Sequence, residues 1–334
     1  MKIRQLPSGA WTTQVQVNGV RRSFTHKSKT QLRKMAEAYH LTASDAPSAP
    51  LGALIDNYIE SKRNVLSPST IARYEQIRRL DFQRLMSVPV NELTNERLQQ
   101  EINLMAADHS PKSVRNAYGL ISAAMRVHGM TFRVTLPQRQ KKTYSVPTTD
   151  EVLALCEAAG DNLRIAIELA AFCGLRRGEI AALEASDISG NVIHVSKALV
   201  YDSDRRQVSK SPKTYTSDRY VTAPDFVIEH LKGKTGRVCP IALNSITRRF
   251  VEVRDRLGMS CRFHDLRHYY ASALHAIGIR DQYIVKFGGW QSDHVLKAIY
   301  MDTLDDFEAA AASQAAAYFN ESANAVQTKP RKTP

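Results

Sequence analysis

The chain has 334 residues, with 46 Lys plus Arg against 33 Asp plus Glu, giving a formal net charge of +13. With an ordinary hydrophobic share of 43%, that excess of cations points to an anionic polymer partner, most simply nucleic acid. No run of about 18 apolar residues is present, which excludes a spanning helix. The opening MKIRQLPSGAW has no apolar core or cleavage pattern, so a cytoplasmic setting is expected and a secretory leader is not.

Two shifts in composition divide the chain: TASDAPSAP at 42–50 and the proline-bracketed PQRQKKTYSVP at 137–147. Before the first, the alternating runs TTQVQV and RRSFT flank Asn18-Gly19. This is a hairpin signal, because a type I′ turn needs positive φ at both central positions. A helix over about 28–41 follows. Such a basic sheet backed by one helix suits strand insertion into a DNA groove, and Arg4, Arg21, Arg22 and Lys27 are its candidate DNA contacts.

Residues 51–129 read as helical throughout, a bundle of four or five helices. Ser67-Pro68 and Ser110-Pro111 have the form of an N-cap followed by a proline at the first helical position, Thr94 is a third cap, and Gly129 is a stop. The helix from Pro68 buries Ile71, Tyr74 and Ile77, and turns Arg73, Arg78, Arg79 and Arg84 outward. The helix from Pro111 buries Val114, Leu120, Ile121 and Met125, and exposes Lys112, Arg115 and Arg126. Arg73, Arg78, Lys112 and Arg115, with Lys141 and Lys142 of the second linker, extend the set of DNA-contact candidates.

From 148 onward the pattern is mixed. Thr148-x-x-Glu151 is a capping box, and a second helix over about 161–173 stops at Gly174. NVIHVSKALVYD and SDRYVTA are strand-like, with RRQVSKSPK between them as a basic turn. Helices resume near 224–232, 244–257, 265–277, 281–287 and 293–299, and an alanine-rich helix over about 304–318 carries Leu304 and Phe307, with Phe319 just beyond it. Cys156, Cys173, Cys239 and Cys261 have no paired spacing and read as core residues of a reducing compartment. The fold class is mainly α with small β elements, an α+β chain.

Four places in this last segment carry polar groups that a plain core would not hold. In CGLRRGEIAAL, Arg176 sits at a helix start where exposed amides and a guanidinium together suit a phosphate, and Glu179, one turn on, can orient an arginine or a histidine. In SKSPKTYTSDRYV, Lys213 stands on or near a hairpin tip. In FHDLRHYYAS, His264, Arg267 and His268 share a helix face opposite a stripe of Leu266, Tyr270, Ala273, Leu274 and Ile277. A zinc reading fails there, because the His-x-x-x-His pair lacks a catalytic Glu and a third ligand and Arg267 would repel the ion; an oxyanion fits instead. In GGWQSDHVLKAIYMDT, Gly288-Gly289 makes a tight turn, Trp290 offers an indole donor and Tyr300 falls near a helix end.

In this order the segments strongly resemble the catalytic domain of the tyrosine recombinases, the phage integrase family. The family's Arg in a Gly-Leu-Arg-x-x-Glu turn maps to Arg176 with Glu179. Its β-hairpin Lys maps to Lys213, its His-x-x-Arg-His helix to His264, Arg267 and His268, its His or Trp after a Gly to Trp290, and its tyrosine to Tyr300. Residues 51–130 are similar to the family's helical core-binding domain, 1–46 to a three-stranded arm-binding domain, and 140–320 to the catalytic domain with its C-terminal helix, leaving 321–334 as a flexible tail.

The resemblance implies a site-specific DNA recombinase that integrates and excises a mobile element or phage genome without metal or cofactor. Tyr300 would be the nucleophile, with Arg176, Lys213, His264, Arg267 and Trp290 catalytic and Glu179 and His268 holding them in place. Implied partners are double-stranded DNA at core and arm sites, three further copies of the chain in a synaptic homotetramer, a host DNA-bending protein and an excisionase. The 304–318 helix packs either in cis or on a neighbour. A non-catalytic DNA-binding regulator descended from a recombinase, or a type IB topoisomerase-like enzyme, are the competing readings.

Overall fold

The computed structural model describes residues 2–17, 20–45, 49–139, 145–210 and 218–290, together with 292, 296 and 297. The Asn18-Gly19 turn, Lys141, Lys142, Lys213, Tyr300, the tail helix with Leu304, Phe307 and Phe319, and most of the 293–299 helix lie outside the described residues. The architecture is mainly helical with small antiparallel sheets. No described helix is long and apolar enough to cross a membrane. Contacts divide the chain into two units, 1–141 with 201–206, and 142–200 with 207–334.

The first unit opens with a three-stranded antiparallel sheet, β1 (Ile3–Gln5), β2 (Trp11–Val17) and β3 (Val20–His26), backed by α1 (Lys29–Asp45). Val17 pairs with Val20 across the predicted hairpin. Alternation along the strands sorts the arginines. Arg22 lies opposite the buried Val15, on the face that packs with α1, and its guanidinium sits over Phe24 and Tyr39 at 5.4 and 5.2 Å from their ring centres. Arg4, opposite Thr12, and Arg21, opposite Gln16, belong to the other, polar face.

The bundle then comprises α2 (Leu51–Lys62), α3 (Pro68–Leu80), the single turn α4 (Gln83–Met86), α5 (Asn95–Asp108) and α6 (Pro111–Val127). Its core includes Leu51, Ile55, Ile71, Ile77, Leu98, Ile102, Leu120 and Ile121. Thr94 and Ser110 cap α5 and α6 through their hydroxyls. Ser67 holds the cap position of α3 but its hydroxyl pairs with Ser69 instead of a helix amide. Gly129 takes φ +71° after α6, a left-handed conformation that favours glycine.

The second unit begins with α7 (Thr149–Ala158), whose capping box between Thr148 and Glu151 is complete. Next comes α8 (Asp161–Cys173), buried around nearly its whole circumference, with α7, α10 (Asp225–Leu231), α11 (Leu243–Arg256) and α12 (Asp265–Ala276) packed on it. Its one buried charge, Glu168, is paired with Arg164 and His230 at 2.8 and 2.9 Å, so the helix can sit in the core. Between α8 and α10 lie α9 (Arg177–Ala182), the antiparallel sheet of β4 (Ile188–Ser189), β5 (Val192–Val195) and β8 (Arg219–Thr222), and the two-stranded pair β6 (Ala198–Tyr201) and β7 (Gln207–Lys210). The stretch read as a basic turn therefore contains a strand. β7 and β8 belong to different sheets, and the expectation for Lys213 between them falls outside the described residues. The last described helix is α13 (Asp281–Gly288). All four cysteines are buried and free.

Candidate active site

Four chain segments of the second unit meet at the C-terminal end of α13. The first is the α8–α9 corner. Gly174 adopts φ +66°, and a methyl group there would lie 2.5 Å from the Tyr270 ring, so only glycine lets α12 approach. Arg176 follows as the residue preceding α9. Its backbone amide is not free for a ligand, as the sequence suggested; it donates to Glu179 Oε2 at 2.8 Å, and its Nη1 donates to Glu179 Oε1 at 2.7 Å. Its Nη2 donates to the carbonyl of Gly289 at 2.6 Å.

The second segment is α12. Its first two turns are buried on every side, which corrects the expected two-faced helix: Asp265, Arg267 and His268 are as buried as Leu266 and Tyr270, while Ile277 emerges into solvent at 73% exposure. Asp265 can be buried because Arg262 donates to both its oxygens, at 2.7 and 2.9 Å. Arg267, 1% exposed, donates through Nη1 to the carbonyl of Gly174 and through Nη2 to that of Gly288. Its Nε has no hydrogen-bond partner among the described residues. Burial, and next the Arg176 charge, push the Arg267 cation downward from its ordinary value, with Glu179 opposing. The His264 and His268 rings meet edge to face at 5.0 Å. Desolvation, then the Arg267 guanidinium, holds the still exposed His264 at about 4; burial, then His264, holds His268 at about 4. Both imidazoles are neutral at pH 7.

The third segment is the turn after α13. Gly289 ends the helix at φ +64°, and Trp290 folds back so closely that a methyl on Gly288 would sit 1.7 Å from the indole. The buried ring carries the Arg267 guanidinium on its face, 4.0 Å from its centre. Trp290 thus supports an arginine, a role the sequence did not suggest.

The fourth segment was missed: the start of β8. Arg219 is buried, donating from Nη1 and Nη2 to Glu179 at 3.2 and 2.9 Å and from Nε to the carbonyl of Phe287 at 2.8 Å. The signal for it was present. In RYVT, alternation places Arg219 and Val221 on the buried face, and an arginine at a core-facing strand position requires a buried anion. Burial alone would raise the Glu179 carboxyl, but the Arg219 hydrogen bonds and the Arg219, Arg176 and Arg267 charges together hold it at about 2.

Two tyrosines of α12, beside the His264 and Arg267 cluster, have structural positions. Tyr269 shares a hydrogen bond with Thr149 at 3.1 Å and packs against Phe172; Tyr270 is buried and pushed up to about 12 by that burial, then by Cys173. Of the other candidates, Arg78 is bound to Asp56 and the Gly52 carbonyl, and Arg115 to the Pro137 carbonyl. Arg73 donates to Gln76, while Lys27 and Lys112 are exposed.

Three guanidiniums against one buried carboxylate leave an excess of positive charge in a space with few competing anions, which defines a site for an oxyanion. Residues 146–306, just under half of the chain, match the model of the phage integrase family, the tyrosine recombinases. The fold is similar to that of the Tn1549 transposon integrase in complex with a circular intermediate DNA, at 16% identity over 80% of this chain and 100% of that chain, with a TM-score of 0.62. It is also similar to a lambda integrase tetramer bound to a Holliday junction (19% identity, 89% of this chain and 94% of that chain, TM-score 0.57). A lambda integrase dimer bound to a COC′ core site gives 18% identity, 90% and 95% coverage and a TM-score of 0.58. No curated protein matches the sequence.

Proposed function

We propose that the chain is a site-specific DNA recombinase that cleaves and rejoins strands through a covalent 3′-phosphotyrosine, integrating and excising a mobile element. The observation that carries this is the charge imbalance around Arg267: a buried guanidinium, disfavoured by burial and by Arg176, within a segment that matches the phage integrase family. A phosphodiester relieves it. In the ground state the diester bears one negative charge; in the five-coordinate transition state it bears about two. Glu179 pairs with both Arg176 and Arg219, so its single charge leaves two of the three arginine charges in excess. Fixed cations that match the charge of the transition state better than that of the substrate accelerate the reaction.

In the proposed step the Tyr300 oxygen bonds to phosphorus and the bond to the 5′-oxygen breaks. His264, neutral at pH 7, accepts the phenolic proton, and Lys213 gives a proton to the departing 5′-oxygen. The free 5′-hydroxyl of another strand then reverses the attack and releases Tyr300. Arg176 and Arg267 hold the non-bridging oxygens, and Trp290 keeps Arg267 in plane. Residues 1–46 are proposed to bind arm sites through the face with Arg4 and Arg21, and 51–130 to bind core DNA. By likeness to the lambda integrase tetramer on a Holliday junction, four copies would assemble on two duplexes.

The test is incubation with nicked suicide duplexes carrying candidate attachment sites. A covalent protein–DNA adduct is expected for the wild type and none for Tyr300→Phe. An adduct that persists in Tyr300→Phe overturns the nucleophile; DNA binding with no adduct in any condition favours the non-catalytic regulator.

A further inference from the structure

Three consecutive carbonyls close α13, those of Phe287, Gly288 and Gly289, and each accepts from a different arginine: Arg219, Arg267 and Arg176 respectively. The last carbonyls of a helix have no partner within it and form the negative end of its dipole, so they attract cations. Two of these arginines belong to the proposed phosphate clamp. The third, Arg219, has no place in the reaction as written, yet it is the one that also fixes the clamp's carboxylate.

We infer that Arg219 is a positioning residue for strand cleavage, acting on the phosphate through Glu179 and Arg176. The inference rests on the recombinase reading above. Arg219 makes a two-pronged contact with Glu179, and Glu179 in turn accepts from both the backbone amide and the Nη1 of Arg176. Its Nε bond to Phe287 places β8 beside the carbonyl that binds Arg267. One side chain, only 4% exposed, therefore sets the distance between α9, β8 and the end of α13. In the sequence it stands two residues after the 211–217 segment that carries Lys213. Arginine is needed for its planar fork; a lysine at this position keeps the charge but cannot span both carboxylate oxygens and the carbonyl.

Two effects follow from its loss. Arg176 is no longer held by an immobile carboxylate, and misplacing a clamp by an ångström costs on the order of 10²-fold in rate. Glu179 loses the hydrogen bonds that oppose its burial, so its carboxyl rises and takes up a proton at a pH where the wild type stays ionised.

The test compares the full-length wild type, Arg219→Lys and Arg219→Met in single-turnover adduct formation on the suicide duplex from pH 5.5 to 8.5. Duplex binding and the thermal unfolding midpoint are measured alongside. The expected result is an adduct rate lowered on the order of 10²-fold in Arg219→Lys, with binding changed less than about threefold. Arg219→Met should add an acid limb that the wild type lacks, and that limb should disappear in the Glu179→Gln, Arg219→Met double variant. Should Arg219→Met fail to fold, Arg219→Lys alone decides. Wild-type rates in Arg219→Lys overturn the inference, as does a loss of rate matched by equal losses in binding and unfolding midpoint with no change in pH profile. A wild type that binds the duplex but forms no adduct overturns the recombinase reading itself.

Discussion

Glu179→Gln isolates the charge at the centre of the site, because glutamine keeps the shape and one acceptor oxygen. The carboxyl is held at about 2 against an ordinary 4.5. At roughly 1.4 kcal/mol for each tenfold change in proton affinity, that interval corresponds to about 3 kcal/mol of folding stability. Breaking one partner of a buried ion pair costs a similar ~3–5 kcal/mol, since the remaining charges lose their counter-ion. The sign follows from the depression: the contribution is complete above pH 4.5 and fades as pH falls toward 2. The variant should thus unfold about 3 kcal/mol more easily at pH 7, and the gap should narrow to about 1 kcal/mol at pH 3. The chain has two tryptophans, Trp11 in the first unit and Trp290 beside Arg267. In a Trp11→Phe background, urea unfolding followed by fluorescence reads the second unit through Trp290. A loss below about 1 kcal/mol at pH 7, or a loss that is the same at both pH values, would refute the ion-pair account.

Two further outcomes are expected. His268 is neutral in the folded protein and charged in the unfolded chain between about 4 and 6.5, so it removes stability as pH falls through that window. From pH 7 to pH 5 the loss is about 2 kcal/mol, and His268→Gln should flatten the stability–pH curve by that amount in urea titrations. Gly288→Ala forces a methyl against the Trp290 ring. It should cost ~1–3 kcal/mol as overpacking, shift Trp290 emission to the red, and slow adduct formation more than it weakens DNA binding.

Local signals in the sequence carried most of the helical fold. Thr148 with Glu151, Ser110 with Pro111, Thr94, Gly129 and Gly174 each act within a few residues, so their chemistry marks a helix end wherever the chain goes next. Strand β7 escaped because it is half-exposed: Gln207 and Ser209 face water while only Val208 and Lys210 turn inward, a weak alternation. At the site, the motif order located Arg176, Glu179, His264, Arg267, His268 and Trp290. What it could not give is their wiring. The alternation in RYVT marks Arg219 as buried but does not name its partners, because the Arg219–Glu179 fork and the carbonyls at the end of α13 join residues far apart in the chain. Trp290 was read as a donor because an indole N–H is the visible feature of tryptophan; that its face carries Arg267 depends on the Gly288-Gly289 turn folding it back.

The three carbonyls that end α13 also bear on the order in which the molecule acquires its reactivity. Arg176 reaches Gly289 across 113 residues, and Arg219 reaches Phe287 across 68. Closing loops of that length comes late, after the local helices have formed and their packing can offset the lost chain entropy. A chain still emerging from the ribosome, or one stalled before residue 289, has its arginines but nothing to hold them in register. Cutting DNA without resealing it is the main hazard of such chemistry. In the recombinase reading, the proposed clamp is built from contacts that only a finished fold can make, so the site would be incomplete until those contacts have closed.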